Sequence, residues 1–145
     1  MPVPHADVLS QLNALNEWLE DVFGEDTRFS TILSEGGISE ADILLIKQQH
    51  LAEFLQQAVD CIVETVDKHD GERRNDVMVR HYGLLTGKPE TLQAIGDSLN
   101  LSRERIRQLV KKRTQVYRYP KRKQQFRESV VVIGKTILEK PCEST

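Results

Sequence analysis

Hydrophobic side chains recur at helical spacing along nearly the whole chain, and this pattern predicts an all-α fold. Between residues 6 and 23 the apolar positions lie three and four residues apart, which predicts an amphipathic helix that ends at Gly24. A loop is expected over residues 25–38, with a short turn around Phe29, Ile32 and Leu33.

A much longer helix is predicted after this loop. Ser39 is a natural N-cap, and nothing from Glu40 to about Lys68 interrupts a helix. Its apolar stripe is too long for the first helix to cover alone. Either the helix is broken near Gln48–His50, or a second chain covers the rest, as in a homodimer or a complex with another helical partner. The stripe consists of Ile43, Leu44, Leu51, Phe54, Leu55, Ala58, Ile62 and Val66.

The second half of the chain predicts shorter helices, of which the last is ambiguous. Helices are expected over residues 72–81, 92–99 and 103–117. Residues 121–140 have helical spacing, but the segment 130–133 is β-prone. A turn near residue 70 separates the halves. We therefore expect an acidic helical dimerisation or partner-binding unit (1–70), a DNA-binding domain (71–128) and a C-terminal helix and tail (129–145).

Acidic and basic residues are concentrated on opposite sides of the predicted boundary near residue 70. The net charge is −2, but residues 1–70 contain 14 acidic and 3 basic side chains, whereas residues 71–145 contain 8 acidic and 17 basic ones. The densest basic stretch, Ser102–Lys123, holds ten Lys or Arg and one acid. A basic block that coincides with a patterned helix favours nucleic-acid binding over a solvated tail.

Other classes of function find little support in the composition. No apolar run approaches the length of a membrane span, and the N-terminus lacks the features of a signal peptide. Cys61 and Cys142 are too far apart to form a disulfide framework and fit a reducing cytoplasm. The four histidines lie at no metal-ligand spacing, and no phosphate-cradling glycine loop is present. We expect no metal, no cofactor and no enzymatic activity.

Residues 91–117 have the pattern of a helix-turn-helix. Gly96 is the small residue that the first helix needs where the second crosses it, and Asn100 tolerates the left-handed turn between them. Thr91 and Ser102 are placed to cap the two helices. The apolar positions that would pack the two helices together are Leu92, Ile95, Leu99, Leu101, Ile106, Leu109 and Val110.

The outward residues of the second helix suit base recognition. Arg103, Glu104, Arg107 and Gln108 share one face at the N-terminal end, which is the part that enters the major groove. Arg pairs with guanine, Glu accepts from cytosine, and Gln pairs with adenine. Lys111, Lys112 and Arg113 follow, in positions that suit phosphate contacts. The alternative interpretation is a surface helix laced with Arg–Glu pairs.

Three segments together resemble the fourth conserved region of bacterial primary-type sigma factors. They are Arg80-His-Tyr-Gly-Leu84, Thr91-Leu-Gln-Ala-Ile-Gly96 and Leu99-Asn-Leu-Ser-Arg-Glu-Arg-Ile-Arg-Gln108. The likeness extends to Tyr117-Arg-Tyr-Pro120 and covers roughly residues 55–128. The resemblance implies a domain that recognises the −35 promoter element.

The resemblance also implies roles for individual residues. Arg103, Glu104, Arg107 and Gln108 match positions that read base edges. Arg80, Thr91 and Leu92 match contacts to the DNA backbone, with Ser102 beside them at the start of the second helix. In the family the first helices also dock on the β flap of RNA polymerase, which here would involve roughly Val59–Val79.

The departures from the family limit the expected function. Gln93 and Ala94 stand where the family usually has two acids, no segment resembles the helices that melt the −10 element, and residues 1–50 match no known part of a sigma factor. We therefore expect a cytoplasmic, nucleoid-associated transcription regulator rather than a complete sigma factor. The alternative is a polymerase- or sigma-interacting protein that uses the same fold for protein contacts. A subsidiary hypothesis is that the acidic half masks the basic half.

Overall fold

The computed structural model describes residues 5–24, 26–64 and 72–139, and in these ranges all regular structure is α-helical. This confirms the predicted all-α class. The helices are α1 (His5–Phe23), α2 (Phe29–Glu35), α3 (Glu40–Gln49), α4 (Leu51–Glu64), α5 (Glu72–Tyr82), α6 (Leu92–Leu99), α7 (Arg103–Tyr117) and α8 (Pro120–Glu139).

The predicted capping residues begin their helices as expected. The hydroxyl of Ser39 accepts a hydrogen bond from the backbone N–H of Asp42 at 3.2 Å. In α6 the hydroxyl of Thr91 accepts from the backbone N–H of Ala94, and in α7 the hydroxyl of Ser102 accepts from the backbone N–H of Arg105. Each bond satisfies one of the N–H groups that the first turn leaves without a helical partner.

The predicted long helix is broken at His50, which lies between α3 and α4 with φ −131° and ψ 16°. Of the two explanations left open for the long apolar stripe, the break is the one confirmed. The stripe is covered mainly by the chain's own helices, since Phe54, Leu55, Ala58 and Ile62 are fully buried. Leu44 alone of the described stripe stays 52% exposed, and Val66 lies outside the described residues.

A single large core joins helices from both halves of the chain. The Trp18 ring lies edge-on to the rings of Tyr117 and Phe126, each at 5.2 Å between centroids. The Trp18 indole N–H donates to the sulfur of Met78 at 3.4 Å, and the Tyr117 hydroxyl donates to the carbonyl of Ile62 at 2.9 Å. Helices α1, α4, α5, α7 and α8 all contribute to this core.

Helix α8 settles the ambiguity of the C-terminal segment, because the β-prone residues 130–133 are helical. Val130, Ile133 and Ile137 are buried at helical spacing, where α8 packs on α2, α3 and α4. The approach is close: a β-carbon on Gly134 would lie 2.9 Å from Leu33 and 3.0 Å from Ile38. The boundary expected between residues 128 and 129 falls within this helix, and the division into three units stays a prediction.

A second, smaller core joins the helix-turn-helix to α5. It is formed by buried apolar side chains of α5, α6 and α7, namely Val77, Ile95, Ile106, Leu109 and Val110. Among the described residues no helix is both long and apolar enough to cross a bilayer.

Candidate nucleic-acid interface

The turn between α6 and α7 has the geometry that the sequence predicts. Asn100 adopts the left-handed conformation with φ 58° and ψ 44°, and the backbone N–H of Leu101 donates to the carbonyl of Gly96 at 2.9 Å. A β-carbon on Gly96 would lie 2.5 Å from the carbonyl oxygen of Leu101 and 3.5 Å from Ile106. Only glycine fits here, since the obstacle is backbone that cannot move aside.

Helix α7 presents the four predicted base-reading residues on its exposed side. Arg103, Glu104, Arg107 and Gln108 are all exposed, whereas Ile106, Leu109 and Val110 are buried against α5 and α6. The N-terminal end of α7 therefore has an exposed polar face and a buried apolar face. Because these four side chains are exposed, no described helix of the acidic half covers this face.

Two of the four residues form an ion pair with each other. The carboxylate of Glu104 accepts from Nη2 of Arg107 at 2.6 Å and from Nε at 2.9 Å. The hydrogen bond from Arg107 lowers the pKa of Glu104, and the same bond raises the pKa of Arg107. Nη1 of Arg105 reaches the amide oxygen of Gln108 at 3.5 Å, a weaker contact.

The predicted phosphate-contacting residues lie in different environments. Lys111 and Lys112 are exposed, as are the capping residues Thr91 and Ser102 at the starts of the two helices. Leu92 is half-buried against the small core. These five positions leave side chains or helix N-termini accessible to a DNA backbone, and their contacts with phosphate stay a prediction.

Arg113 is the exception, and its predicted phosphate contact is wrong. Its side chain is 1% exposed and lies over the ring of Tyr117, 5.5 Å from the centroid. The physical reason is helical periodicity, because Arg113 lies four residues after Leu109 and seven after Ile106, which places it on the buried side of α7. Helical spacing counted from Ile106 and Leu109 thus predicts that Arg113 is buried and that its neighbour Lys112 is exposed.

Arg80 is engaged within the protein. Its Nε and Nη2 donate to the two carboxylate oxygens of Glu90 at 2.8 and 2.7 Å. The hydrogen bond from Arg80 lowers the pKa of Glu90, and the bond to Glu90 raises the pKa of Arg80. The backbone N–H of Glu90 also donates to the carbonyl of Arg80 at 3.0 Å. These bonds hold the end of the loop between α5 and α6 against α5.

The sequence does not reveal a basic groove beside the recognition helix. The groove holds about 200 Å³ and lies among α5, α6 and α7. Within it, Nδ1 of His81 is buried without a hydrogen-bond partner among the described residues. Its lining includes His81, Tyr82, Leu92, Arg107, Lys111 and Arg118. No local signal indicates it, because its walls come from segments ten or more residues apart.

Asp21 links the acidic half to the helix-turn-helix. Its carboxylate accepts from the Tyr82 hydroxyl at 2.6 Å, and its backbone carbonyl accepts from Nε of Arg118 at 2.9 Å. The first bond reaches α5, and the second reaches the C-terminal end of α7. Helix α1 is thus tied to the base of the recognition helix, away from the face that carries Arg103 and Gln108.

Comparisons with known proteins match the helix-turn-helix and extend from it into the acidic half of the chain. The family model of sigma-70, region 4, matches residues 71–112. The chain is 32% identical over 104 residues to an RNA polymerase sigma-C factor of Nostoc sp., a match that covers 72% of this chain and 23% of the relative. It is 30% identical over 106 residues to an RNA polymerase sigma factor SigA of Nostoc sp., covering 73% of this chain and 25% of that protein.

A SigA factor of Microcystis aeruginosa is likewise 30% identical over 106 residues, covering 73% of this chain and 23% of the relative. The chain thus spans about a quarter of the length of these curated relatives. No solved structure matches the chain significantly.

Proposed function

We propose that the chain is a sequence-specific DNA-binding transcription regulator that recognises a −35-like promoter element. The premise is that residues 71–112 match the family model of sigma-70, region 4. The observation that supports the proposal most strongly is the exposed face of Arg103, Glu104, Arg107 and Gln108 at the start of α7. Side chains of these types match the donor and acceptor pattern of base edges in the major groove.

The proposed DNA contacts fall into two classes. The four-residue face of α7 would enter the major groove, while Lys111, Lys112 and the N-termini at Thr91 and Ser102 would contact phosphates. Arg80, whose side chain stays partly exposed while it is paired with Glu90, would also contact a phosphate. The surrounding basic surface supplies the sequence-independent attraction to the duplex. This function would place the protein in the cytoplasm, at the nucleoid.

Equilibrium binding to a duplex that carries a −35 element tests the proposal. Affinity is expected to fall steeply with salt, because each neutralised phosphate releases counterions. Arg103→Ala is expected to cost about 1–3 kcal/mol on the preferred site and to relax its specificity, whereas Lys112→Ala weakens all duplexes alike. Lys135→Ala, which removes an exposed lysine of α8, is the matched control. Equal weakening by all three variants would argue against a specific interface.

Contact with RNA polymerase is the second proposal, because the similar proteins are RNA polymerase sigma factors. The apolar side chains expected to meet the β flap are already in use, since Val59, Val77, Met78 and Val79 lie in the two cores. A contact of that kind would therefore use Asp76, which is exposed, and the half-buried residues 80–82 at the end of α5, or require α1 and α8 to separate from the core. Retention on core polymerase without DNA binding would favour this function over the first.

A homodimer is not required to complete the fold. The apolar stripe that suggested it is covered by the chain's own helices, apart from exposed Leu44 among its described residues. We propose that one chain reads one element. Inverted repeats of the element among selected duplexes would instead indicate a dimer, because half-site symmetry mirrors protein symmetry.

A further inference from the structure

The ion pair between Glu104 and Arg107 fixes which edge of the Arg107 guanidinium faces outward from α7. The two hydrogen bonds from Arg107 to Glu104 use Nε and Nη2, so the carboxylate covers one edge of the guanidinium. The other edge, from Nη1 to Nη2, still offers two parallel N–H donors. Among the described residues nothing accepts from Nη1.

From this geometry we propose that Glu104 is a positioning residue, which holds Arg107 with its free edge toward the bases and reads no base of its own. The inference rests on the proposed DNA-binding function and deepens it. It differs from the roles that the resemblance implies, in which Glu104 itself contacts a base edge. Arg107 keeps a two-donor edge of the kind that pairs with O6 and N7 of guanine.

The location of the pair supports the assignment. Glu104 and Arg107 lie three residues apart on one helix, so the fork forms without any movement of the backbone. It orders a long, flexible side chain before DNA arrives, which reduces the entropy lost on binding. Glu104 is also the only acid between Ser102 and Lys123, and both of its oxygens are engaged by Arg107. Arg103 has no such fork among the described residues.

A double-mutant cycle tests the proposal on the duplex that the wild-type protein selects from a randomised pool. Arg107→Ala is expected to weaken binding about tenfold to a hundredfold, since a bidentate base contact is lost. Glu104→Gln is expected to cost less, and the double variant is expected to bind no more weakly than Arg107→Ala alone. A second cycle of Arg107→Ala with Lys112→Gln is the control, and there the two losses should multiply.

Base preference provides a second, independent readout. If Glu104 acts through Arg107, Glu104→Gln and Arg107→Ala relax preference at the same base pair. Losses that multiply in the first cycle, or relaxed preference at a different base pair in Glu104→Gln, would overturn the positioning role while leaving the DNA-binding function intact. Failure of the folded wild-type protein to bind any duplex would overturn both. Far-UV circular dichroism checks that each exposed-site variant is folded.

Discussion

At the scale of single residues, two adjacent basic side chains on α7 lie in opposite environments. Lys112 is exposed, whereas Arg113 is buried over the ring of Tyr117. Arg113→Ala is therefore expected to lower the free energy of unfolding by about 2–4 kcal/mol, because it removes buried methylene groups and the contact with the ring. Urea denaturation measures this, with Lys112→Ala as the control that leaves stability unchanged. If Arg113→Ala left the free energy of unfolding unchanged but weakened DNA binding, Arg113 would be a phosphate contact after all.

Gly96 lies where α6 and α7 approach most closely, so a larger residue there is expected to destabilise the fold. Gly96→Ala would place a methyl group 2.5 Å from the carbonyl oxygen of Leu101, so α6 and α7 would have to move apart. We expect a loss of about 1–3 kcal/mol in the free energy of unfolding. Asp97→Ala, at an exposed position in the same helix, should change it by less than about 0.5 kcal/mol. Equal effects of the two substitutions would contradict the close crossing.

How far a residue's role can be predicted from sequence depends on how local its partners are. The exposed face of α7, the caps and the turn at Asn100 follow from spacing within one segment. The Glu104–Arg107 pair lies within one helical turn. It is one of the Arg–Glu pairs that the alternative interpretation of α7, as a surface helix, predicts. The Arg80–Glu90 fork joins residues across a loop, and no periodicity places them together.

At the scale of the elements, α6 depends on its cap. Thr91→Ala is expected to cost about 0.5–2 kcal/mol in the free energy of unfolding, because the N–H of Ala94 loses its acceptor. Thr91→Ser keeps a hydroxyl in place and is expected to change stability much less. Thermal denaturation of the two variants makes the comparison. Identical melting temperatures for the alanine and serine variants would show that the cap contributes little to α6.

Two elements show where tertiary packing overrides a local pattern. No glycine or proline marks the break at His50, so the sequence leaves a break and a covering partner as alternatives. The break lets α3 and α4 pack separately on α8. In α8 the β-branched run 130–133 is helical because Val130, Ile133 and Ile137 bury one face against α4 and α2.

At the scale of the whole molecule, the large core makes the two halves depend on each other. The single tryptophan, Trp18, lies in α1 but contacts Tyr117 of α7, Phe126 of α8 and Met78 of α5. We expect urea unfolding curves from Trp18 fluorescence and far-UV circular dichroism to coincide. Two separate transitions would instead show that residues 1–70 and 71–128 fold as independent units, as the charge pattern suggests.

The link between the halves also predicts a pH dependence. Burial raises the pKa of Tyr82 above its ordinary value of 10.0, and the hydrogen bond to Asp21 adds to the shift. The folded state therefore favours the neutral phenol. This contribution is present in full below about pH 10 and is lost as the pH rises toward the higher pKa of the folded state, because the unfolded chain ionises first.

Tyr82→Phe isolates this contribution from that of other tyrosines. Between about pH 8 and about pH 11, the variant is expected to lose less stability than the wild-type protein, as measured by urea midpoints from circular dichroism. An identical decline in both proteins would show that folding does not raise the pKa of Tyr82.

The most direct test of the central claim is selection of bound duplexes from a randomised DNA pool by the full chain. The proposed function predicts enrichment of one common element that resembles a −35 promoter element, and loss of that enrichment with Arg103→Ala. No enrichment over the starting pool by the folded wild-type protein would contradict the claim that the exposed face of α7 reads DNA sequence.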